Sequence, residues 1–401
     1  MNKAFSVYLD AVRFLAAMGV VASHVVYVRW TGGAFPAPLV DAVFLTGADF
    51  VMVFFVLSGF VIAYTVDAKD NEWRSYAFNR ATRIYSVVVP AILLTFLLDR
   101  VGLSFNAADY DGWWYADHSL WELLVRGLTF SNEFWRWPFR LGSNGPYWSL
   151  GYEVWYYVLF GVFVFARGWR RIAVLAIVAA MVGPGVLLLA PIWILGVILF
   201  HGCRRGWFSP GAKGSSAIIG ATAAIAPIAI YLGLRASGAD EALSAASHAL
   251  LSQVRYLGGV GDAARFLWFW TIGALVVIHF AGVAMLAGRF KTGVSRAVST
   301  PFRWLAGASF SIYIIHYPVM QALDAVWGGE TSSGLRAAAL GVSTIGLCFL
   351  FAALFERRLP AFRAGIRALA GSAASPTGTA DVERRVIAPK AAKSKGRLPN
   401  N

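Results

Sequence analysis

The sequence predicts an all-α protein, a polytopic membrane bundle of about ten transmembrane helices. Three observations carry that expectation. Hydrophobic residues make up 58% of the 401 residues and charged residues only 14%, where a soluble domain carries roughly 25% charged residues; the mean hydropathy is +0.61. About ten segments reach the roughly 20 apolar residues that cross a bilayer. The basic residues also alternate between loops in the sense that the positive-inside rule requires.

Taken in order, the segments centre near Gly19, Phe54, Leu93, Val158, Ala180, Leu195, Ala226, Val276, Ile314 and Leu347. The fifth and sixth are divided only by a break at Gly183, Pro184, Gly185 and Pro191. The first lies where a signal peptide would. It contains Arg13 and His24 and lacks a small-residue cleavage site beyond it, so it reads as a retained helix. With the amino terminus inside, 25 of the 35 Lys and Arg residues fall in inner loops and the tail, and nine in outer loops. Ten spans with both termini cytoplasmic follow. The net charge of +14 is therefore topological, which excludes nucleic acid as its reason.

Residues 1–358 form the predicted transmembrane domain, and residues 359–401, rich in Ala, Gly, Pro, Lys and Arg, read as a basic, disordered cytoplasmic tail. The longest outer stretch, about Asp99 to Gly145, sets Trp113, Trp114, Trp121, Trp135 and Trp137 among Asp and Glu residues. That pattern suits carbohydrate recognition or an interfacial aromatic belt. Cys203 and Cys348 offer neither a disulfide framework nor metal-ligand spacing, and no metal is expected.

Charged side chains near the bilayer centre cost about 2.5–3.5 kcal/mol on insertion scales, so those that occur line protein or wet cavities. Arg13 and His24 are eleven residues apart, which returns to one helix face within roughly 20° and separates them by about 16 Å. Asp10 sits one turn before Arg13. Estimated depths fall into two groups. Toward the outer half lie His24, Asp49, Ser149, Glu153, Tyr313 and His316, in which Ser149 to Glu153 is an i, i+4 pair and Ser309, Tyr313 and His316 share a face. Toward the inner edge lie Asp10, Arg13, Arg80 and Arg83. An acid and base level thus stands above a cationic vestibule. His118, His201, His248 and His279 receive no role.

These residues match a known pattern. YLDAVRFLAAMGVVASH resembles the first helix of the membrane acyltransferase-3 family, with Arg13 and His24 in the Arg, ten residues, His spacing. GADFVMVFFVLSGFVI resembles the second block through Asp49, Ser58 and Gly59. RATRIYSVVVP is similar to the third through Arg80, Arg83 and Tyr85. GPYWSLGYEVWYY resembles the fourth, with Glu153 as the matching acid, and ASFSIYIIHYPV a late block through Ser309, Ser311, Tyr313, His316 and Pro318. The chain departs at Ala11, Phe14, Gly151 and Tyr152, which bears on packing and acceptor choice. It resembles the stand-alone form of the family.

The resemblance implies transfer of an acyl group, usually acetyl from acetyl-CoA as co-substrate, to a hydroxyl of a carbohydrate or glycolipid acceptor such as exopolysaccharide, O-antigen or a lipo-oligosaccharide. It implies residence in the bacterial cytoplasmic (inner) membrane. The residue chemistry fits: His24 serves as general base, Glu153 or Asp49 orients its ring, His316 joins the catalytic set, and Arg13, Arg80 and Arg83 bind phosphates. Direct transfer and an acyl-His24 intermediate both stay open. The rival reading is a transporter or flippase of a sugar-linked lipid, against which stands the absence of two related halves.

Overall fold

Every helix end that can be matched with a neighbour meets one on the same face of the bundle, and this fixes the path of the chain. The structure is a computed structural model that describes residues 2–373 except 32, 34, 37–39, 41–45, 71, 136–137, 209–214, 255–259, 290–293 and 329–332. Trp137 therefore lies outside the described residues. Two compact units divide the chain, Met1–Leu359 and Pro360–Asn401.

Helix α1 (Lys3–Val25) is capped by Asn2, whose side chain accepts from the amides of Ala4 and Phe5 and donates to Ala287 O at 3.0 Å. That contact sets the start of α1 beside the end of a later helix on what we term the N-terminal face. At the other end, Ser23 abuts Gly47 so closely that a Cβ on the glycine would lie 2.4 Å from its Oγ. Helix α2 (Gly47–Ala68) thus runs back antiparallel. Helix α3 (Trp73–Phe105) rises to the opposite face. There a long segment is bound to it through Asp99, which accepts from Ser143 N and Oγ at 3.0 and 2.5 Å. That segment holds the short helix α4 (Leu120–Leu128), closed by a Ser119–Glu122 capping box.

Helix α5 (Trp148–Phe165) descends, and Phe165 packs on Tyr76 near the start of α3 with ring centroids 5.6 Å apart. Helix α6 (Gly168–Arg204) therefore starts on the N-terminal face, yet its last residue, Arg204, pairs with Asp67 at the end of α2 on that same face. A straight helix cannot do this. Gly183, at φ 82° and ψ 178°, turns the chain over, and Trp135 N of the opposite-face segment bonds Val182 O at the apex. Pro184, which cannot continue the hydrogen-bond ladder, completes the break. The two segments expected around Ala180 and Leu195 are the arms of this hairpin.

Helix α7 (Ser215–Ala236) rises, α8 (Ala239–Ser252) lies at the opposite face, and α9 (Phe266–Ala287) descends. Helix α10 (Arg296–Ala306) is a short amphipathic piece before α11 (Ser309–Trp327). Helix α12 (Gly334–Leu354) returns antiparallel to α11, tied at the opposite face by Arg336 to Asp324 at 2.7 Å. Eight helices are long and apolar enough to span a membrane. Helix α11 is not among them because it carries Ser309, Ser311, His316, Gln321 and Asp324, all buried within the bundle; a helix shielded from lipid by its neighbours need not be apolar. With α11 and the second arm of α6, the crossings among the described residues number about ten, and the all-α bundle is the one the hydropathy predicts.

The tail expected to be without structure opens instead with helix α13 (Leu359–Ala373). Its run of Leu, Ala and Arg is rich in strong helix formers, which outweighed the low hydropathy in deciding its local state.

Candidate active site

His24 stands in the last turn of α1 and His316 in the middle of α11. Nδ1 of His316 lies 3.0 Å from Ile312 O and 2.9 Å from Tyr313 O. Carbonyls only accept, so Nδ1 carries the proton and Nε2 of the neutral ring carries the lone pair. That lone pair faces His24 Nδ1 at 3.0 Å; His24 therefore donates from Nδ1, and its own Nε2 is the basic nitrogen. His316 is fully buried, and Tyr317 stands edge-on to His24 with centroids 5.1 Å apart. The i, i+3 and i, i+4 carbonyl contacts are available because His316 is inside a helix, so the fold of α11 itself sets the tautomer.

Two polar chains run through the bundle, the first of them beside His316. Tyr313 donates to Pro146 O at 2.9 Å, so its oxygen accepts from Ser149 at 2.7 Å, joining α5 to α11 beside His316. In the second, Trp193 Nε1 donates to Ser58 at 3.1 Å, Ser58 to Tyr157 at 3.1 Å, and Tyr157 to Glu153. All donors point one way, and the carboxylate ends the chain. Glu153 is thus oriented by Tyr157. Asp49 accepts from Tyr231 and Trp268 Nε1, each at 2.9 Å, with Arg235 at 3.7 Å. It ties α2 to α7 and α9. The expectation that Asp49 or Glu153 orients His24 is replaced by His316, which periodicity places on the right face of its helix without revealing which helix it meets.

On the N-terminal face a cavity of about 350 Å³ is lined by Asp10, Arg13, Arg83, Arg303, Glu356 and Arg357, among others. Glu356 is held by Ser311 N and Oγ at 2.9 and 2.7 Å. Four guanidinium groups against two carboxylates leave the cavity cationic. Arg80 is not part of it. It pairs with Asp70 at 3.3 Å, which Asn79 also reaches at 2.7 Å, and it lines a separate apolar groove between α3 and α5. Arg303 and Arg357 complete the vestibule, and sequence reasoning treated both only as topological charge. Their signal was position alone: they flank α11 and α12 on the face that already held Arg13.

The family model described as an acyltransferase domain matches residues 6–353. The chain belongs to the acyltransferase-3 family. Within it, the chain is 30% identical over 156 residues to the acyltransferase MdmB of Streptomyces mycarofaciens, covering 38% of this chain and 37% of that protein. It is 26% identical over 159 residues to the O-acetyl transferase of Shigella phage Sf6, covering 39% of this chain and 45% of that protein. The chain thus spans less than half the length of these relatives. No solved structure matches. Among the described residues of this family member, no group of three or more His, Cys, Asp and Glu side chains is arranged to hold a metal ion.

Proposed function

We propose that the protein is an integral membrane O-acyltransferase of the bacterial inner membrane, moving acetyl from cytoplasmic acetyl-CoA to a hydroxyl of a carbohydrate or glycolipid. The observation that carries this reading is the His24–His316 hydrogen bond above the arginine-lined cavity. The cavity residues suit the donor: Arg13, Arg83 and Arg303 present planar, permanently charged donors to phosphate oxygens, and the excess of positive charge matches an anionic nucleotide. Arg13 and His24 are about 16 Å apart along α1, a span suited to an extended arm that joins a nucleotide below to a thioester above.

In the proposed step His24 Nε2 takes the proton of the acceptor hydroxyl as its oxygen attacks the thioester carbonyl carbon. The C–O bond forms and the C–S bond breaks. The CoA thiolate leaves and receives the proton from the imidazolium. His316 Nε2, accepting from His24 Nδ1, fixes the ring with Nε2 as its basic nitrogen and stabilises the cation, the part a carboxylate plays in hydrolase triads.

The test is acyl transfer from radiolabelled acetyl-CoA by purified His24→Ala in nanodiscs, with mass spectrometry of surface glycans from a deletion strain to look for a lost acetyl group. Turnover at the wild-type rate would eliminate His24 as the base.

A further inference from the structure

The groove between α3 and α5 has a volume of about 550 Å³, within the roughly 300–1,000 Å³ of small-ligand sites, and it shares no lining residue with the Arg13 cavity. Small side chains keep it open. Ala77 and Ala81 lie exposed on it, one turn apart on α3, and Gly161 brings α5 so close that a Cβ there would lie 2.8 Å from the Tyr76 ring. Phe165 and Tyr76 frame the end toward the N-terminal face. Tyr85 and Phe130, with ring centroids 5.8 Å apart, frame the other. The three tyrosine hydroxyls along it are all taken: Tyr76 donates to Tyr157 O and Tyr85 to Leu128 O, each at 2.8 Å, and Tyr157 donates to Glu153. Arg80 in the wall is held by Asp70. The groove therefore offers an occupant apolar contact, the chemistry of an alkyl chain.

Its length and its rim identify the kind of chain. From Tyr76 to Tyr85 α3 rises about 14 Å, and one leaflet of a hydrocarbon core about 30 Å thick is roughly 15 Å deep. The rim at the N-terminal face is basic. Arg74, Arg167 and Arg170 are exposed there, and Arg171 is turned to the groove by its bond to Ala166 O at 2.8 Å. Among the described residues none of these four has a carboxylate at ion-pair distance, while Asp70 and Asp67 on this face are already paired with Arg80 and Arg204. That leaves Glu72 against four guanidinium groups. Trp73 and Trp169, 60% and 75% exposed, are of the type that settles at headgroup level, and a basic cluster beside a span attracts anionic lipid headgroups.

We propose that this groove is a binding site for one anionic phospholipid of the adjoining leaflet, its acyl chain lying along α3 and α5 from Tyr76 to Tyr85 and its phosphate-bearing headgroup meeting Arg74, Arg167 and Arg170. This lipid is neither donor nor acceptor. Its chain packs against Tyr157, the residue that holds Glu153, and so braces the helix that carries Glu153 and Ser149. A zwitterionic phospholipid fills the same slot but gains less at the rim, because its own ammonium group faces the arginines.

Native mass spectrometry of the full chain, delipidated in detergent and titrated with dioleoyl phosphatidylglycerol or dioleoyl phosphatidylcholine, reads the site directly. The wild type is expected to take up one phosphatidylglycerol saturably, about fivefold or more tightly than phosphatidylcholine, and its Tm to rise with the bound lipid. Ala77→Phe and Ala81→Phe fill the slot from exposed positions, and each is expected to weaken that uptake about fivefold or more. Arg74→Gln with Arg170→Gln, which alters only exposed side chains, is expected to erase the preference between the two lipids. Leu97→Phe, exposed on the same helix outside the groove, controls for added bulk and is expected to bind as the wild type does. Unsaturable uptake, equal affinity of the wild type for the two lipids, or undiminished uptake by both alanine variants overturns the proposal. So does a dimer that excludes lipid and that Ala81→Phe dissociates, since a second copy would then be the occupant.

Discussion

His24 and His316, 292 residues apart in sequence, share one hydrogen bond of 3.0 Å between the first helix and the eleventh. The direction of that bond is settled by Ile312 and Tyr313, whose carbonyls claim the other nitrogen of His316. A histidine thus takes the acceptor position beside its neighbour that an acidic residue takes elsewhere, and it does so without a negative charge.

Replacing His316 by Ala removes the acceptor of His24 Nδ1. We expect kcat to fall by about 10²-fold, within the range that one acid–base group supplies, while KM for acetyl-CoA is unchanged. His316→Gln, which retains an acceptor, is expected to recover part of the rate. Steady-state kinetics over a pH series checks both, since a freely turning His24 titrates differently from a bonded one; a rise in KM alone would make His316 a binding residue.

The vestibule predicts a division among arginines. Arg83→Ala and Arg303→Ala are each expected to raise KM for acetyl-CoA by about 10-fold or more, as charge-assisted hydrogen bonds are worth about 1.5–3 kcal/mol. Arg80→Ala is expected to leave KM alone and to lower stability by about 3 kcal/mol, because Asp70, with a side chain 1% exposed, loses its cation. Kinetics and thermal unfolding on the three variants distinguish the roles.

Gly59 and Gly196 let α2 and the second arm of α6 touch backbone to backbone. A Cβ on Gly59 would lie 2.0 Å from Trp193 O, and one on Gly196 2.0 Å from Val56 O. Neither carbonyl yields without moving a helix. Gly59→Ala and Gly196→Ala are each expected to destabilise by about 1–3 kcal/mol or more, read as lower Tm and lower yield of monodisperse protein in detergent.

Glu133 predicts a pH slope. Its carboxyl is held above its unfolded value by burial and by Asp262, so the native state favours the protonated form. Its contribution to stability is present below the unfolded pKa and lost as pH rises through the raised folded pKa. Glu133→Gln is expected to flatten the fall in Tm as pH rises above the ordinary carboxylate range and to leave the variant more stable than the wild type once the wild-type carboxyl is forced to ionise.

The spanning helices were legible in the hydropathy because the lipid imposes one requirement on every span. His24, Glu153, Asp49 and His316 were legible as embedded polar residues, and Arg13 and Arg83 as a vestibule. What periodicity lacks is the identity of the helix opposite. It assigned the orientation of His24 to the nearest acids in the pattern, whereas Glu153 is taken by Tyr157 and Asp49 by Tyr231 and Trp268. Arg80 and Arg83 lie three residues apart on α3 and looked equivalent; only the packing shows Asp70 capturing one and the cavity receiving the other.

The reversal at Gly183 governs the parity of the whole chain. His316, Arg303 and Glu356 all belong to the part that follows it, and each reaches its correct level only because the count of crossings before it includes both arms of that hairpin. Had residues 168–204 continued straight, Arg303 would emerge beside the long tryptophan-bearing segment, and the positive charge gathered around Arg13 would be split between two aqueous compartments. One residue with a left-handed φ thereby decides that four guanidinium groups rather than two line a single cavity.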